Sequence, residues 1–261
     1  IGGHFAMRKA IEVARLHGLA FAAMRGSNHC GALDWFSLAA VEAGMIGICG
    51  TNALPTMAPL GGVDKIVGIN PLSIAMPGGR SGGFLFDFAF GATAHGKIRV
   101  YAQKGSDIPE GWAFDRDGNP TIDAEKALDG LIQPIGGHKG IALGMAVGLI
   151  STLLSGAAYG TQLGNMIEGP RAGVDGQFFM AINIDAFTPL EEFKRRLDEV
   201  IDEMHASGRR KDVDRIWVPG EIEQEFEKQY GAEGIVLSAE TIKDLVTVAS
   251  ELGIDASSLL R

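Results

Sequence analysis

Three places in this chain carry side chains that can do chemistry. Ser27-Asn28-His29-Cys30-Gly31 sets an imidazole and a thiol in a short polar segment between apolar stretches. An imidazole there can exchange a proton near neutral pH, so His29 is a candidate general acid/base; the alternative is a loop histidine bonded to the backbone. A nucleophilic Cys30–His29 pair is conceivable, but adjacent residues in an extended loop tend to point apart. Further on, Pro134-Ile135-Gly136-Gly137-His138-Lys139-Gly140 leads into an apolar helical stretch. Glycines let backbone approach a ligand closely, and a helix N-terminus attracts phosphate. Lys139 adds a point charge suited to a pyrophosphate, the alternative being a glycine turn with a solvated lysine. Between these lies Asp87, within Phe84-Leu85-Phe86-Asp87-Phe88-Ala89-Phe90. A carboxylate among phenylalanines must be hydrogen-bonded, paired or exposed at a strand end. Asn52 and Asn70 both end apolar runs, where an amide either fixes a substrate hydroxyl or carboxamide or satisfies a turn.

The elements that would hold these residues follow from periodicity. Residues 5–16 repeat apolar side chains at helical spacing and stop at His17-Gly18, a C-cap signature. Residues 19–24 have strand length, and residues 44–77 alternate short apolar runs with Gly/Pro/Asn punctuation, as strands and tight turns do. Residues 84–90 predict a strand with a buried-looking carboxylate, and 106–123 a long polar loop. Residues 141–154 predict a buried helix, 155–176 a surface loop, 178–184 a strand, 190–207 an amphipathic helix, 216–220 a strand and turn, and 238–252 a final helix capped by Ser238. His4, His17, His95 and His205 fall in helical or turn contexts.

The chain's 261 residues can bury a sizeable core, in one large or two intertwined domains, and 46% hydrophobic with 21% charged residues is the composition of a soluble globular protein. A formal charge of -9 argues against a nucleic-acid partner, which needs a basic footprint, while leaving room for an anionic substrate in a local positive pocket. Cys30 and Cys49 are too few for a disulfide framework and fit reduced thiols in the cytoplasm. Neither a signal peptide nor a membrane span is visible, and no metal-ligand spacing occurs, so no metal is assigned. Helices and strands together give an α/β class, and there is no Gly-x-Gly-x-x-Gly after a strand to support a Rossmann unit.

Read in order, Ser27 to Gly31, Gly44-Met45-Ile46-Gly47-Ile48, Thr51-Asn52, Ala58-Pro59-Leu60-Gly61-Gly62, Gly68-Ile69-Asn70-Pro71, Asp87-Phe88-Ala89, Gly96-Lys97-Ile98, Pro134 to Gly140 and Pro219-Gly220-Glu221 resemble the malate/L-lactate dehydrogenase family of the second, non-Rossmann type. That family also holds ureidoglycolate, sulfolactate and diketogulonate oxidoreductases and cyclic imino acid reductases. The resemblance implies a non-Rossmann NAD(P)-binding α/β fold with a mixed sheet and flanking helices. It implies a cofactor domain at 32–150, and a helix-rich domain from 1–31 with 151–261. It makes His29 the proton carrier. It places Asp87, Phe88, Ala89, His138, Lys139, Gly220 and Glu221 at the cofactor, and Asn52, Ala53 and Asn70 at the substrate. A carboxylate at Glu221 can accept from a ribose hydroxyl and repel a 2′-phosphate, a lean toward NAD over NADP. The family has hydroxyl residues where this chain has Phe90 and Gly91, and Ser or Thr where it has Ala53. A phenyl ring at Phe90 could then pack on the nicotinamide. The Ser-His-Gly motif that members carry further toward the N-terminus does not occur in this sequence. Either the sequence begins within a longer protein or that segment has been lost. The implied activity is NAD(P)-dependent interconversion of a small 2-hydroxy acid and a 2-oxo acid by a cytoplasmic homodimer, the alternatives being a cyclic imino acid reductase or a degenerate paralogue that binds a dinucleotide without turnover.

Overall fold

The computed structural model describes residues 1–164 and 173–256. In chain order these form α1 (Gly2–His17), β1 (Leu19–Ser27), α2 (Asp34–Glu42), β2 (Met45–Thr51), β3 (Pro55–Met57), β4 (Val67–Gly68), β5 (Leu72–Met76), β6 (Phe84–Phe88) and α3 (His95–Gln103). There follow β7 (Ala113–Phe114), β8 (Pro120–Thr121), α4 (Ala124–Asp129), β9 (Leu131–Ile132), α5 (His138–Leu153), β10 (Asp175–Asn183), α6 (Leu190–His205), α7 (Glu221–Glu233) and α8 (Ala239–Glu251). They divide into two compact units, Ile1–Gly220 and Glu221–Arg261.

The first unit is built on a five-stranded sheet in the order β1-β10-β2-β5-β6. The α/β class with flanking helices is borne out, but the sheet is antiparallel at every ladder rather than mixed. Side-chain alternation along β10 sends Phe178 and Phe179 to opposite faces. Phe179 joins Met7, Ala10, Ile11 and Ala14 of α1 and Phe36 and Ala40 of α2 in one core. Phe178 joins Val147 of α5 and Phe90 in another, so helices cover both faces. A third core gathers Met57, Val67, Ile98, Ala127, Ile132 and Ile141 under α3, α4 and the small sheet β8-β7-β9. In the second unit α8 starts at a capping Ser238, whose hydroxyl accepts from the Thr241 N–H at 3.1 Å.

Three expectations need correction, and one helix was not foreseen. Residues 106–123 contain the β7–β8 hairpin, because Asp115 Oδ1 accepts from the N–H groups of Asp117 and Asn119 and closes a tight turn. Helix α5 is buried along one side only: Gly140, Gly144, Val147, Gly148 and Ser151 face inward, and Leu143, Ile150 and Leu153 face out. Residues 216–220 form no ladder; Pro219 instead accepts a single bond from the Leu85 N–H at 3.1 Å, lapping the open edge of β6. Helix α7 has no counterpart in the periodicity reading, since its charges obscure the Ile222, Phe226, Tyr230 stripe. Of the expected loop at 155–176, residues 165–172 lie outside the described residues.

Candidate active site

Antiparallel pairing brings the C-terminal ends of β1, β2 and β6 together with the N-terminal ends of β10 and β5. Ser27 pairs with Asp175, Gln177 with Thr51, Gly50 with Leu72, and Leu72 with Phe88. One end of the sheet therefore carries His29, Asp175, Asn52 and Asp87, from four different strands or the loops that follow them.

His29 lies in the segment joining β1 to α2 and is exposed. Its own N–H donates to Asn28 Oδ1 at 2.9 Å, and the Gly31 N–H donates to His29 Nδ1 at 3.1 Å. With Nδ1 used as an acceptor, the proton of the neutral ring sits on Nε2, an assignment made from this bond. Asp175 faces it electrostatically: burial pushes the Asp175 carboxyl up to about 6, and the His29 charge pulls it back. A carboxylate beside an imidazole favours a positive charge on the ring. Asp175 was missed by reasoning that began the strand at Phe178; the Asp175-Gly176-Gln177 prefix to an apolar run was the available signal. Burial pushes the Cys30 thiol up to about 11, which disfavours the thiolate that a nucleophile needs.

Asp87 is exposed at the end of β6 rather than buried, and its Oδ2 accepts from the Asp34 N–H at 2.8 Å. Partial burial holds its carboxyl above the usual carboxylate range, against the bonds from the Asp34 and Leu33 amides. Phe88 is exposed and meets Phe86 and Phe90 edge-on, at ring centroid distances of 4.0 and 5.6 Å, and Ala89 follows half-buried. Phe90 is 2% exposed against α5, so it is a core residue and presents no face to a nicotinamide.

The Pro134–Gly140 turn is tied to this same loop: Ile135 N–H donates to the Phe90 carbonyl at 3.0 Å, and Gly91 bridges Pro134. Gly136 and Gly137 take φ of 58° and 62°, a region that favours glycine, and a Cβ on either would meet nothing within 4 Å. The N-terminus of α5 therefore opens onto free space with His138 and Lys139 exposed beside it. This is a geometry that fits a diphosphate.

Asn52 and Asn70 are buried, with their amides committed to backbone. Asn52 donates to the Ala158 carbonyl at 3.0 Å and accepts from the Gly176 N–H at 2.8 Å. Asn70 accepts from the Ala53 N–H at 2.9 Å and donates to the Gly144 carbonyl at 2.8 Å. Gly220, at φ 100°, packs its α-carbon so close to Leu85 that a Cβ would lie 2.9 Å from it. Glu221 opens α7 in the second unit. Among the described residues no group of three His, Cys, Asp or Glu is placed to hold a metal ion. No helix among them is long and apolar enough to cross a membrane.

An antiparallel sheet with helices on both faces carries an exposed histidine past the end of β1 and an open glycine turn at the start of α5, without a Rossmann unit. The chain belongs to the malate/L-lactate dehydrogenase family, whose model matches residues 1–246. It is 43% identical over 227 residues to a malate dehydrogenase of Pyrococcus abyssi, covering 84% of this chain and 62% of that protein. It is 39% identical over 253 residues to an L-sulfolactate dehydrogenase of Methanocaldococcus jannaschii, covering 97% of this chain and 72% of that protein. The crystal structure of malate dehydrogenase from Entamoeba histolytica superposes with a TM-score of 0.92 at 30% identity, over 98% of this chain and 75% of that one. The chain thus spans from under two thirds to about three quarters of the length of these relatives.

Proposed function

We propose that this chain catalyses the NAD(P)-dependent interconversion of a small 2-hydroxy acid and its 2-oxo acid, with His29 as the general acid/base. The observation that carries the reading is the placement of His29, its ring oriented by Gly31 and its charge answered by Asp175, at the same sheet end as the open cradle at Gly136–Lys139. In oxidation His29 takes the hydroxyl proton, and the Asp175 carboxylate stabilises the imidazolium that forms. In reduction the same imidazolium returns the proton to the carbonyl oxygen. A bound nicotinamide supplies the hydride acceptor or donor.

Lys139, His138 and the α5 N-terminus hold the diphosphate of the dinucleotide, and the Asp87-Phe88-Ala89 strand end lines its nicotinamide half, with the exposed Phe88 ring in the place the sequence offered to Phe90. Gly220 and Glu221 meet the adenosine half, and a carboxylate there disfavours a 2′-phosphate, which leans the choice toward NAD. Asn52, Ala53 and Asn70 border the substrate. Ala53 faces it, while the two amides shape that border through the backbone they hold. The unpaired thiols of Cys30 and Cys49 suit the cytoplasm. A panel of 2-oxo acids and cyclic imines with NADH and NADPH, followed at the reduced-nicotinamide absorbance, tests the reading. Turnover of a 2-oxo acid is expected, and turnover of cyclic imines alone or of nothing contradicts it.

A further inference from the structure

The segment that carries His29 makes no sheet ladder between the end of β1 and the start of α2, and the bonds His29 shares with Asn28 and Gly31 are local. Two side chains from distant strands reach its ends. Gln177 of β10 donates from Nε2 to the Asn28 carbonyl at 3.3 Å. Asp87 of β6 accepts from the Asp34 N–H at 2.8 Å, which supplies α2 with the N-terminal cap that Leu33, at the capping position, cannot provide. A carboxylate delivered there also complements the positive end of the helix.

Gln177 is costly where it stands. It is 1% exposed, next to Phe178 and Phe179, and its Oε1 has no hydrogen-bond partner. A buried amide oxygen left unsatisfied destabilises a fold, and an apolar side chain of the same volume avoids that penalty. Retaining the amide makes physical sense if its other half, the Nε2 donor on Asn28, has a task. Asp87 stands in a similar position: its partial burial disfavours the carboxylate, which the α2 amides then stabilise.

We infer that Gln177 and Asp87 are positioning residues that clamp the two ends of residues 28–34 and so fix His29 against Asp175. The catalytic half of the inference rests on the function proposed above; the clamp itself does not. A displacement of about 1 Å in a proton carrier lowers turnover up to about 100-fold while leaving remote binding contacts intact.

Amide hydrogen–deuterium exchange over residues 28–34 of the full chain, measured beside steady-state kinetics and NADH affinity, tests this in Gln177→Leu, Asp87→Ala and Asp87→Asn. Gln177→Leu keeps the volume and removes the orphaned oxygen, so the fold survives. Expected are a five- to tenfold faster exchange in this segment for Gln177→Leu and Asp87→Ala, on the scale of one lost hydrogen bond. Their kcat falls about 10- to 100-fold, and in Gln177→Leu, which is no part of the proposed cofactor site, NADH Kd changes less than about twofold. Asp87→Asn, which still presents an acceptor to Asp34, restores most of both. Unchanged exchange in Gln177→Leu and Asp87→Ala overturns the clamp, whether or not any substrate is turned over. Fast exchange with wild-type kcat overturns its role in catalysis. A loss of NADH affinity in Asp87→Ala without faster exchange leaves Asp87 with its cofactor role alone and overturns its half of the clamp. If the wild-type chain turns over nothing, the function reading fails and the exchange rates alone decide the clamp.

Discussion

Gly148 has no side chain because Asn70 lies where one would go: a Cβ on Gly148 would sit 2.4 Å from Asn70 Nδ2. Asn70 is fully buried at φ 35°, with both ends of its amide bonded to backbone, so it has little freedom to move aside. Gly148→Ala is therefore expected to cost about 1–3 kcal/mol by overpacking. Asn70→Ala is expected to cost about 2–3 kcal/mol by leaving the Ala53 N–H and a Gly144 carbonyl lone pair unmet. Because the two share one contact, the double variant should lose less than the sum of the singles, read from urea denaturation of all four proteins. Strict additivity would contradict the contact.

That contact marks what a single sequence can and cannot reveal. Helices α1, α5, α6 and α8 and strands β1, β6 and β10 were legible because apolar spacing and caps act locally. The antiparallel order of the sheet was not, since pairing depends on residues more than a hundred positions apart, such as Asp175 and Ser27. His29 and Lys139 stood out because a titratable or charged side chain beside glycines is unusual. Asn52 and Asn70 stood out equally, yet their partners Ala158, Gly176 and Gly144 are backbone atoms that no residue type announces. Asp175 was hidden for a related reason: its importance lies in the histidine across the ladder.

Asp175 links activity to stability with opposite signs. Burial raises its carboxyl to about 6, so the folded chain holds that proton more tightly than the unfolded one. Stability contributed by this group is therefore full below about pH 4, declines as pH rises toward 6, and is a net cost at neutral pH. Asp175→Asn should stabilise the fold at pH 7.5 by an amount on the order of 1–2 kcal/mol after allowance for solvent, read as a higher melting temperature, with the gain gone at pH 4. The same variant should lose tenfold or more in kcat, about the lower half of what a positioned proton carrier supplies. A stability gain equal at both pH values would contradict the raised carboxyl.

Lys139→Ala should weaken NADH binding while leaving the nicotinamide mononucleotide fragment less affected, since the proposed partner is the diphosphate. Loss of one charge-assisted hydrogen bond corresponds to about 1.5–3 kcal/mol. Calorimetric titration with both ligands decides it, and an unchanged NADH Kd would return Lys139 to solvent.

The outward side of α5 exposes Leu143, Ile150 and Leu153 at 57%, 41% and 70%. Exposed apolar side chains along one helix side suit an interface, and we propose that this side is covered in a homodimer. Sedimentation equilibrium at micromolar concentration should give twice the 27.6 kDa chain mass, and a single 27.6 kDa species with full activity would contradict it.

The turnover number of His29→Ala tests the central claim most directly. His29 is exposed, oriented by Gly31 and paired electrostatically with Asp175, and it is assigned proton transfer alone. Its removal is expected to lower kcat by about 10²–10⁴-fold with the dinucleotide Kd nearly unchanged. A variant that keeps more than about half of the wild-type kcat would show that the proton is carried elsewhere.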